Sequence, residues 1–211
     1  MTKKAGKCLY MLILILFLAA TLSVAAIQKT FAESPQRIKG KKVALVIAYR
    51  DFQDTEFNVP RKMFQKEGAL ITIVSSKKGK AIGSEGMNVE TDILIEDVNA
   101  TNYDAVVFIG GRGVQEEYWD NPKAHAVAQE AVKQGKVLAA ICWGPVILAN
   151  AGVLDGKKGT VADYGDAVWI LKRKGCKYSI WNSVVVDGKI ITANGRGAAK
   201  SFAKAIIKSL E

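Results

Sequence analysis

Short apolar runs alternate with helical segments along most of this chain, and this alternation constrains the fold more than any other feature. The longer segments between the runs have helical periodicity, as in Thr55–Glu67 and Pro122–Gln134. Strands that are apolar throughout are typical of a parallel sheet with helices on both faces. The sequence therefore predicts an α/β protein with a mainly parallel central sheet. The predicted central strands are Val43–Ala48, Leu70–Ser75, Ala105–Ile109 and Val137–Ile141.

Further elements are predicted in the loops and in the second half of the chain. Val184–Asp187 and Ile190–Ala193 flank an Asp-Gly pair, which indicates a tight hairpin. Asn88–Thr91 and Ile93–Ile95 are also extended in pattern, and we expect them to pair with each other as a second hairpin. Additional helices are predicted at Gly144–Ala151, Asp166–Lys174 and Ala198–Leu210.

The first 32 residues have the pattern of a secretory signal peptide. Three lysines, at positions 3, 4 and 7, precede the apolar run Leu9–Ala26, and small residues at Thr30 and Ala32 fit a cleavage site before Glu33. An uncleaved membrane anchor is the alternative, because a run of this length nearly spans a bilayer. We therefore expect an exported protein, which is periplasmic, extracellular or tethered to the outer side of a membrane through residues 9–26.

Charge and composition favour one globular domain that does not bind nucleic acid. Removal of residues 1–32 takes away four lysines and no acid, so the net charge falls from +10 to 26 − 20 = +6. The remaining basic residues are spread along the sequence and are not grouped with aromatic residues, as a nucleic-acid site would require. Hydrophobic residues make up 49% of the chain, enough for a sizeable core. We expect a polar lead-in at 33–41 and a single domain at 42–211.

Cysteine and histidine counts restrict the possible chemistry. Cleavage of the leader would leave two cysteines, Cys142 and Cys176, and an even number in an oxidising compartment raises the possibility of a disulfide. We expect free thiols instead, because a chain of this length folds without a covalent cross-link. His125 is the single histidine, which excludes a metal site built from several histidines. No metal and no cofactor are expected.

Cys142 carries the main chemical signal of the sequence. It directly follows the predicted strand Val137–Ile141, and Gly144 and Pro145 then begin a helix. This arrangement resembles a nucleophile elbow, in which a sharp turn presents the reactive side chain. A helix N-terminus favours thiolate over thiol, so a lowered pKa is expected for Cys142. The Gly110-Gly111 pair follows a neighbouring strand and could supply backbone N–H groups to an oxyanion hole.

Three segments stand out together: YRDFQDTE after the first strand, VVFIGGRG after a central strand, and AICWGPVILANAGVLDGKKGT around the cysteine. They resemble the ThiJ/PfpI superfamily, which includes the intracellular protease PfpI, the parkinsonism-associated deglycase and glyoxalase III enzymes. The resemblance covers about Lys42 to Leu210. It implies a flavodoxin-like three-layer sandwich that assembles as a homodimer or a higher homo-oligomer.

The resemblance also implies roles for individual residues. The nucleophilic cysteine of the family falls on Cys142 and its glycine pair on Gly110 and Gly111. The protease-like members have a histidine directly after the cysteine, where this chain has Trp143. Tryptophan cannot transfer protons, so little peptidase activity is expected.

Acidic residues of the family match less well. The glutamate that lies near the sulfur in most members falls on Gln53 or, with a small shift in the alignment, on Asp54 or Glu56. Glutamine could donate a hydrogen bond to the sulfur but could not shuttle a proton.

Two further family positions also differ in this chain. The acid that a neighbouring subunit supplies falls on Gln115, with Glu116 beside it, and the late histidine of the glyoxalases is replaced at Ala162 and Asp163. The residues Glu56, Gln115, Glu116 and Asp163 are therefore the candidate positions for a catalytic acid.

Three functions remain open at this point. The first is a thiol redox or stress protein in which Cys142 oxidises reversibly or reacts with electrophiles such as α-oxoaldehydes. The second is a cysteine-dependent hydrolase resembling PfpI, or a glyoxalase or deglycase, that uses Glu56, Glu116 or Asp163 as its acid. The third is a binding or chaperone-like module without catalysis. The expected substrate is a small electrophile or a peptide.

Overall fold

The computed structural model of this protein describes residues 36–211. This part of the chain forms twelve strands and six α-helices. In order they are β1 (Lys42–Val46), β2 (Arg50–Phe52), α1 (Asp54–Lys66), β3 (Leu70–Ser75), β4 (Gly79–Gly83), β5 (Asn88–Thr91), β6 (Ile93–Leu94), β7 (Ala105–Phe108), α2 (Gly113–Tyr118), α3 (Pro122–Lys133), β8 (Val137–Ile141), α4 (Pro145–Asn150), β9 (Lys158–Gly159), α5 (Ala167–Arg173), β10 (Lys177–Tyr178), β11 (Val184–Asp187), β12 (Ile190–Ala193) and α6 (Ala199–Leu210).

Seven strands form the central sheet in the order β11-β12-β8-β7-β1-β3-β6. All neighbouring pairs in it are parallel except β11 and β12, which form an antiparallel hairpin. Helices cover both faces of the sheet. The predicted α/β class, the flavodoxin-like three-layer sandwich and the hairpin across Asp187-Gly188 are thus confirmed.

The middle of the sheet is buried on both faces. Every residue of β7 and β8 is buried, which explains why these strands are apolar throughout. Helix α1 packs against α6, and Phe57 and Phe202 on these helices are fully buried. Burial of each such side chain stabilises the fold by about 2–3 kcal/mol. The carboxyl ends of β1, β7, β8 and β12 meet at one edge of this core, where the loops that follow them come together.

The predicted hairpin between Asn88–Thr91 and Ile93–Ile95 is wrong. β5 pairs antiparallel with β4, and β6 pairs parallel with β3 in the central sheet. Asp92 separates the two pairings, because its Oδ2 accepts from the Ile73 N–H at 2.7 Å and its own N–H donates to the Ile73 carbonyl at 2.8 Å. These bonds fix the chain to β3 just before β6 begins.

Part of the predicted polar lead-in belongs to the folded domain. Ile38 is fully buried in the core, and the guanidinium of Arg37 bonds to Glu67 and Glu211 at 2.9 Å each. The domain therefore begins before residue 42. The predicted signal peptide or anchor lies outside the described residues. None of the helices between residues 36 and 211 is long and apolar enough to cross a bilayer.

Candidate active site

Cys142 lies on a sharp turn between β8 and α4. Its φ is +62°, a left-handed conformation that costs a non-glycine residue about 1–2 kcal/mol. Two backbone hydrogen bonds hold it there: its N–H donates to the Ala193 carbonyl at 2.9 Å, and its carbonyl accepts from the Ala162 N–H at 3.0 Å. The end of β8, the neighbouring strand β12 and the segment at Ala162 together fix the backbone that carries the thiol.

Glu56, in the first turn of α1, lies beside this thiol. Its side chain is buried, with 1% of the residue exposed, and its Oε2 has no hydrogen-bond partner of ordinary geometry among the described residues. Burial raises the pKa of Glu56 from 4.5 to about 7, although the Cys142 thiol and the Gly110 N–H act in the opposite direction. A carboxyl with this pKa can both donate and accept a proton near neutrality.

Gly110 makes this proximity possible. A Cβ at this position would overlap both the Cβ of Cys142 and Oε2 of Glu56. Glycine is therefore required here for space, and its φ is not in the left-handed region. The neighbouring Gly111 does have a positive φ of 116°, and its N–H points at the sulfur of Cys142 together with the N–H of Trp143.

The expected low pKa of Cys142 is not what the site produces. Burial, followed by the negative charge of Glu56, raises the pKa of the thiol to about 12, and the N–H groups of Gly111 and Trp143 only partly oppose this. Helix α4 has six residues, so its N-terminal partial charge is too small to outweigh the enclosure. Near neutrality the proton that the pair releases first therefore comes from Glu56, and the thiol stays protonated.

Gln53 does not lie where the sequence suggested. It is the N-cap of α1: its Oε1 accepts from the Glu56 N–H at 2.8 Å, and its Nε2 donates to Glu85 at 3.0 Å. The expected hydrogen bond from Gln53 to the sulfur is therefore replaced by a contact with Glu56. Gln53 positions the backbone of Glu56 and lines the cleft outside it.

An open cleft of about 640 Å³ leads to Cys142. Trp143 and Tyr164 form an aromatic side, with their rings stacked at 5.6 Å between centroids and 28° between planes. Arg112 and Arg196 also line the cleft, and sequence reasoning missed both. The available signal was their position, since each follows the carboxyl end of a central strand, β7 or β12.

Trp143 contributes to an aromatic cluster that extends away from the cleft. Its ring is 5.6 Å from that of Trp119, and Trp119 Nε1 donates to the Trp143 carbonyl at 3.2 Å. The single histidine, His125, bonds through Nε2 to the Trp119 carbonyl at 2.8 Å and is not among the residues that line the cleft. The site thus contains no imidazole beside the thiol.

The other candidate acids do not contact the thiol. Gln115 and Glu116 are exposed on α2, and neither lines the cleft. Asp163 is exposed between two cleft residues but does not itself line it. Of the four candidate acid positions, only Glu56 is brought to Cys142.

Both described cysteines are free thiols, so Cys142 and Cys176 form no disulfide. Cys176 is buried. Between residues 36 and 211, no group of histidine, cysteine and acidic side chains has the arrangement of a metal site.

Comparison with known proteins identifies the family. The sequence profile of the DJ-1/PfpI family matches residues 41–209. The chain is 33% identical to Deglycase PfpI of Pyrococcus furiosus, over 79% of this chain and 98% of that protein. It is 36% identical to General stress protein 18 of Bacillus subtilis, over 57% of this chain and 70% of that protein.

A solved structure agrees with these sequence matches. The ThiJ/PfpI domain protein from Brachyspira murdochii superposes with a TM-score of 0.77 at 31% identity, covering 82% of this chain and 97% of that one. The profile spans the cysteine turn, Glu56 and the glycine pair in one continuous match. Because the family profile matches residues 41–209 and the solved structure has the same fold, the chain belongs to the DJ-1/PfpI family.

Proposed function

We propose that this protein is a cysteine-dependent enzyme that removes small carbonyl electrophiles, with α-oxoaldehydes as the substrate class. The observation that carries the proposal is the buried carboxyl of Glu56 beside the thiol of Cys142, with its pKa near 7. The similarity to Deglycase PfpI supports a carbonyl-derived substrate. The similarity to General stress protein 18 supports a role under stress.

The first step is addition of the thiol to the aldehyde carbon. The bond between sulfur and carbon forms, the C=O double bond becomes a single bond, and the thiol proton passes through Glu56 to the former carbonyl oxygen. A thiol with a raised pKa is a poor nucleophile unless a neighbouring base takes its proton as it attacks. The Glu56 carboxylate is such a base, and the N–H groups of Gly111 and Trp143 face the sulfur as charge develops on it.

The second stage returns the enzyme to its starting state. Glu56 moves the proton from the former aldehyde carbon to the adjacent carbonyl carbon by way of an enediol, which leaves a hydroxyacyl thioester on Cys142. Water then hydrolyses the thioester to an α-hydroxy acid and restores the free thiol. The reaction is an internal redox rearrangement plus hydrolysis, so it needs no external oxidant or reductant.

The experiment measures methylglyoxal consumption and lactate formation by the purified protein. Cys142→Ser and Glu56→Gln should each lower kcat/KM by about 100-fold or more, since each removes a group that takes part in the reaction. Cys176→Ser is the control and should keep wild-type activity, because Cys176 is buried away from the cleft. Turnover that survives Cys142→Ser, or a wild-type protein that forms no lactate, would overturn the proposal.

Peptide hydrolysis and thiol oxidation have weaker support. Trp143 occupies the position of the histidine that the protease-like members use, and its ring is stacked on Tyr164. Oxidation by peroxide requires a thiolate, whereas burial raises the pKa of Cys142. The site therefore favours carbonyl chemistry, in which Glu56 deprotonates the thiol only during attack.

A further inference from the structure

Two arginines belong to the cleft but have no part in the chemistry described above. Arg112 directly follows Gly111, whose N–H faces the sulfur of Cys142, and it forms no salt bridge with a described residue. Arg196 comes from the loop after β12 and lines the same cleft. The two arginines therefore reach the cleft from the ends of different strands, β7 and β12.

Arg196 is held in place at the cleft. Its Nη1 lies 3.1 Å from Oε1 of Glu85, and the same carboxylate oxygen accepts from Nε2 of Gln53 at 3.0 Å. Asp54 in turn fixes the loop that carries Glu85, because its carboxylate accepts from the Glu85 N–H at 2.9 Å and from the Met87 N–H at 2.7 Å. The guanidinium of Arg196 is therefore oriented, although its side chain is largely exposed.

While Glu56 keeps its proton, the charges that line the cleft do not balance. The positive side chains are Arg112 and Arg196, and the negative ones are Glu85 and, once it has lost its proton, Glu56. Glu85 is paired with Arg196, so no negative side chain of the cleft offsets the charge of Arg112 until Glu56 loses its proton. A planar guanidinium fork matches the oxygen geometry of carboxylates and phosphates better than other side chains do.

We propose that Arg112 and Arg196 bind a carboxylate or phosphate group of the substrate, so that the enzyme acts on anionic carbonyl compounds. The substrate identity rests on the proposed function, whereas anion recognition next to Cys142 does not. A bound anion would place its carbonyl carbon at the thiol while the apolar part of the molecule contacts Trp143 and Tyr164.

A pair of alkylating probes tests the proposal without relying on turnover. Iodoacetate is an anion and iodoacetamide is its neutral analogue, and both transfer a carbon to sulfur with release of iodide. The full chain is treated with each reagent at low ionic strength, and peptide mass spectrometry measures alkylation of the peptide that contains Cys142. We expect Arg112→Gln or Arg196→Gln to lower the ratio of iodoacetate to iodoacetamide rates about tenfold, roughly the effect of one charge-assisted hydrogen bond.

Arg173→Gln is the matched control, since Arg173 is an exposed arginine on α5 that does not line the cleft, and its ratio should equal that of the wild type. The iodoacetamide rate itself reports whether each variant keeps an intact site. Addition of 0.5 M sodium chloride should reduce the wild-type ratio toward that of the variants. Competition by inorganic phosphate or by sodium acetate distinguishes a phosphate from a carboxylate preference.

A ratio that is the same in the wild type, Arg112→Gln and Arg196→Gln would overturn the proposal, as would equal slowing of both reagents. These outcomes are independent of methylglyoxal turnover. Failure to form lactate would disprove the proposed function, whereas an unchanged alkylation ratio would disprove only the anion site.

Discussion

The carboxyl of Glu56 and the thiol of Cys142 meet beside Gly110, whose missing side chain leaves the space that they share. One group comes from the first helix and the other from the turn after β8. Each affects the proton affinity of the other, so the titration of the thiol cannot be separated from that of the carboxyl. The first two predictions depend on this coupling.

Glu56→Gln should lower the pKa of Cys142. The negative charge of Glu56 raises the pKa of the thiol, and glutamine carries no charge while its amide can donate to the thiolate. We expect the midpoint of Cys142 alkylation by iodoacetamide to move to lower pH by about one unit or more. Glu116→Gln, an exposed glutamate outside the cleft, is the control. An unchanged midpoint in Glu56→Gln would contradict the observed arrangement.

The same carboxyl should make stability depend on pH. Folded Glu56 keeps its proton up to pH about 7, whereas the unfolded chain releases it near 4.5. The folded state thus binds more protons between these values, and the free energy of unfolding falls as pH rises through them. Urea unfolding at pH 5 and pH 8 measures this effect. Between the two pH values, the free energy of unfolding of the wild type should fall by about 2–3 kcal/mol more than that of Glu56→Gln. Parallel pH profiles for the two proteins would argue against a raised pKa.

Gly110→Ala should destabilise the fold and block the site. The new Cβ would overlap Cys142 and Glu56, so strain of about 1–3 kcal/mol is expected, together with loss of Cys142 alkylation. Gly197→Ala is a matched control from the same cleft, because a Cβ there would have no atom within 4 Å. Thermal melts and alkylation rates of the two variants provide the test. Equal behaviour of the two alanines would mean that Gly110 is not needed for space.

We expect export of the protein through its first 32 residues. Fractionation of cells that express the full chain should place the protein beyond the cytoplasmic membrane, with Glu33 as the mature N-terminus if the leader is cleaved. Leu14→Arg, a charge in the apolar run, should retain the chain in the cytoplasm. A soluble cytoplasmic wild type that begins at Met1 would refute the prediction.

The strands of the sheet were predictable because the apolar pattern that indicates each strand lies within its own sequence. Leu70–Ser75 and Val137–Ile141 have the boundaries that apolar runs and flanking glycines predict. The connection between β5 and β6 was not predictable in this way. It depends on hydrogen bonds between Asp92 and Ile73, which are distant in sequence. Local pattern gives the strand, and long-range bonds decide its partner.

The candidate active site was also predictable only in part. The turn at Cys142 could be predicted because strand, cysteine, glycine and proline follow one another in sequence. The position of Glu56 could not, because Gln53 and Glu56 lie three residues apart in one helical turn, and only the packing of α1 decides which side chain faces Gly110. The pKa of Cys142 was wrongly predicted for the same reason. Its value depends on enclosure and on a neighbouring carboxyl that the local sequence does not show.

The left-handed backbone of Cys142 lowers the stability of the fold at the same residue that supplies the reactive thiol. Glycine or asparagine would adopt this conformation with less strain than cysteine does. A library of variants screened for thermal tolerance alone would therefore be expected to lose the thiol early, while the fold around it improved. Any attempt to stabilise this protein for practical use needs to hold residue 142 constant and seek its gains elsewhere.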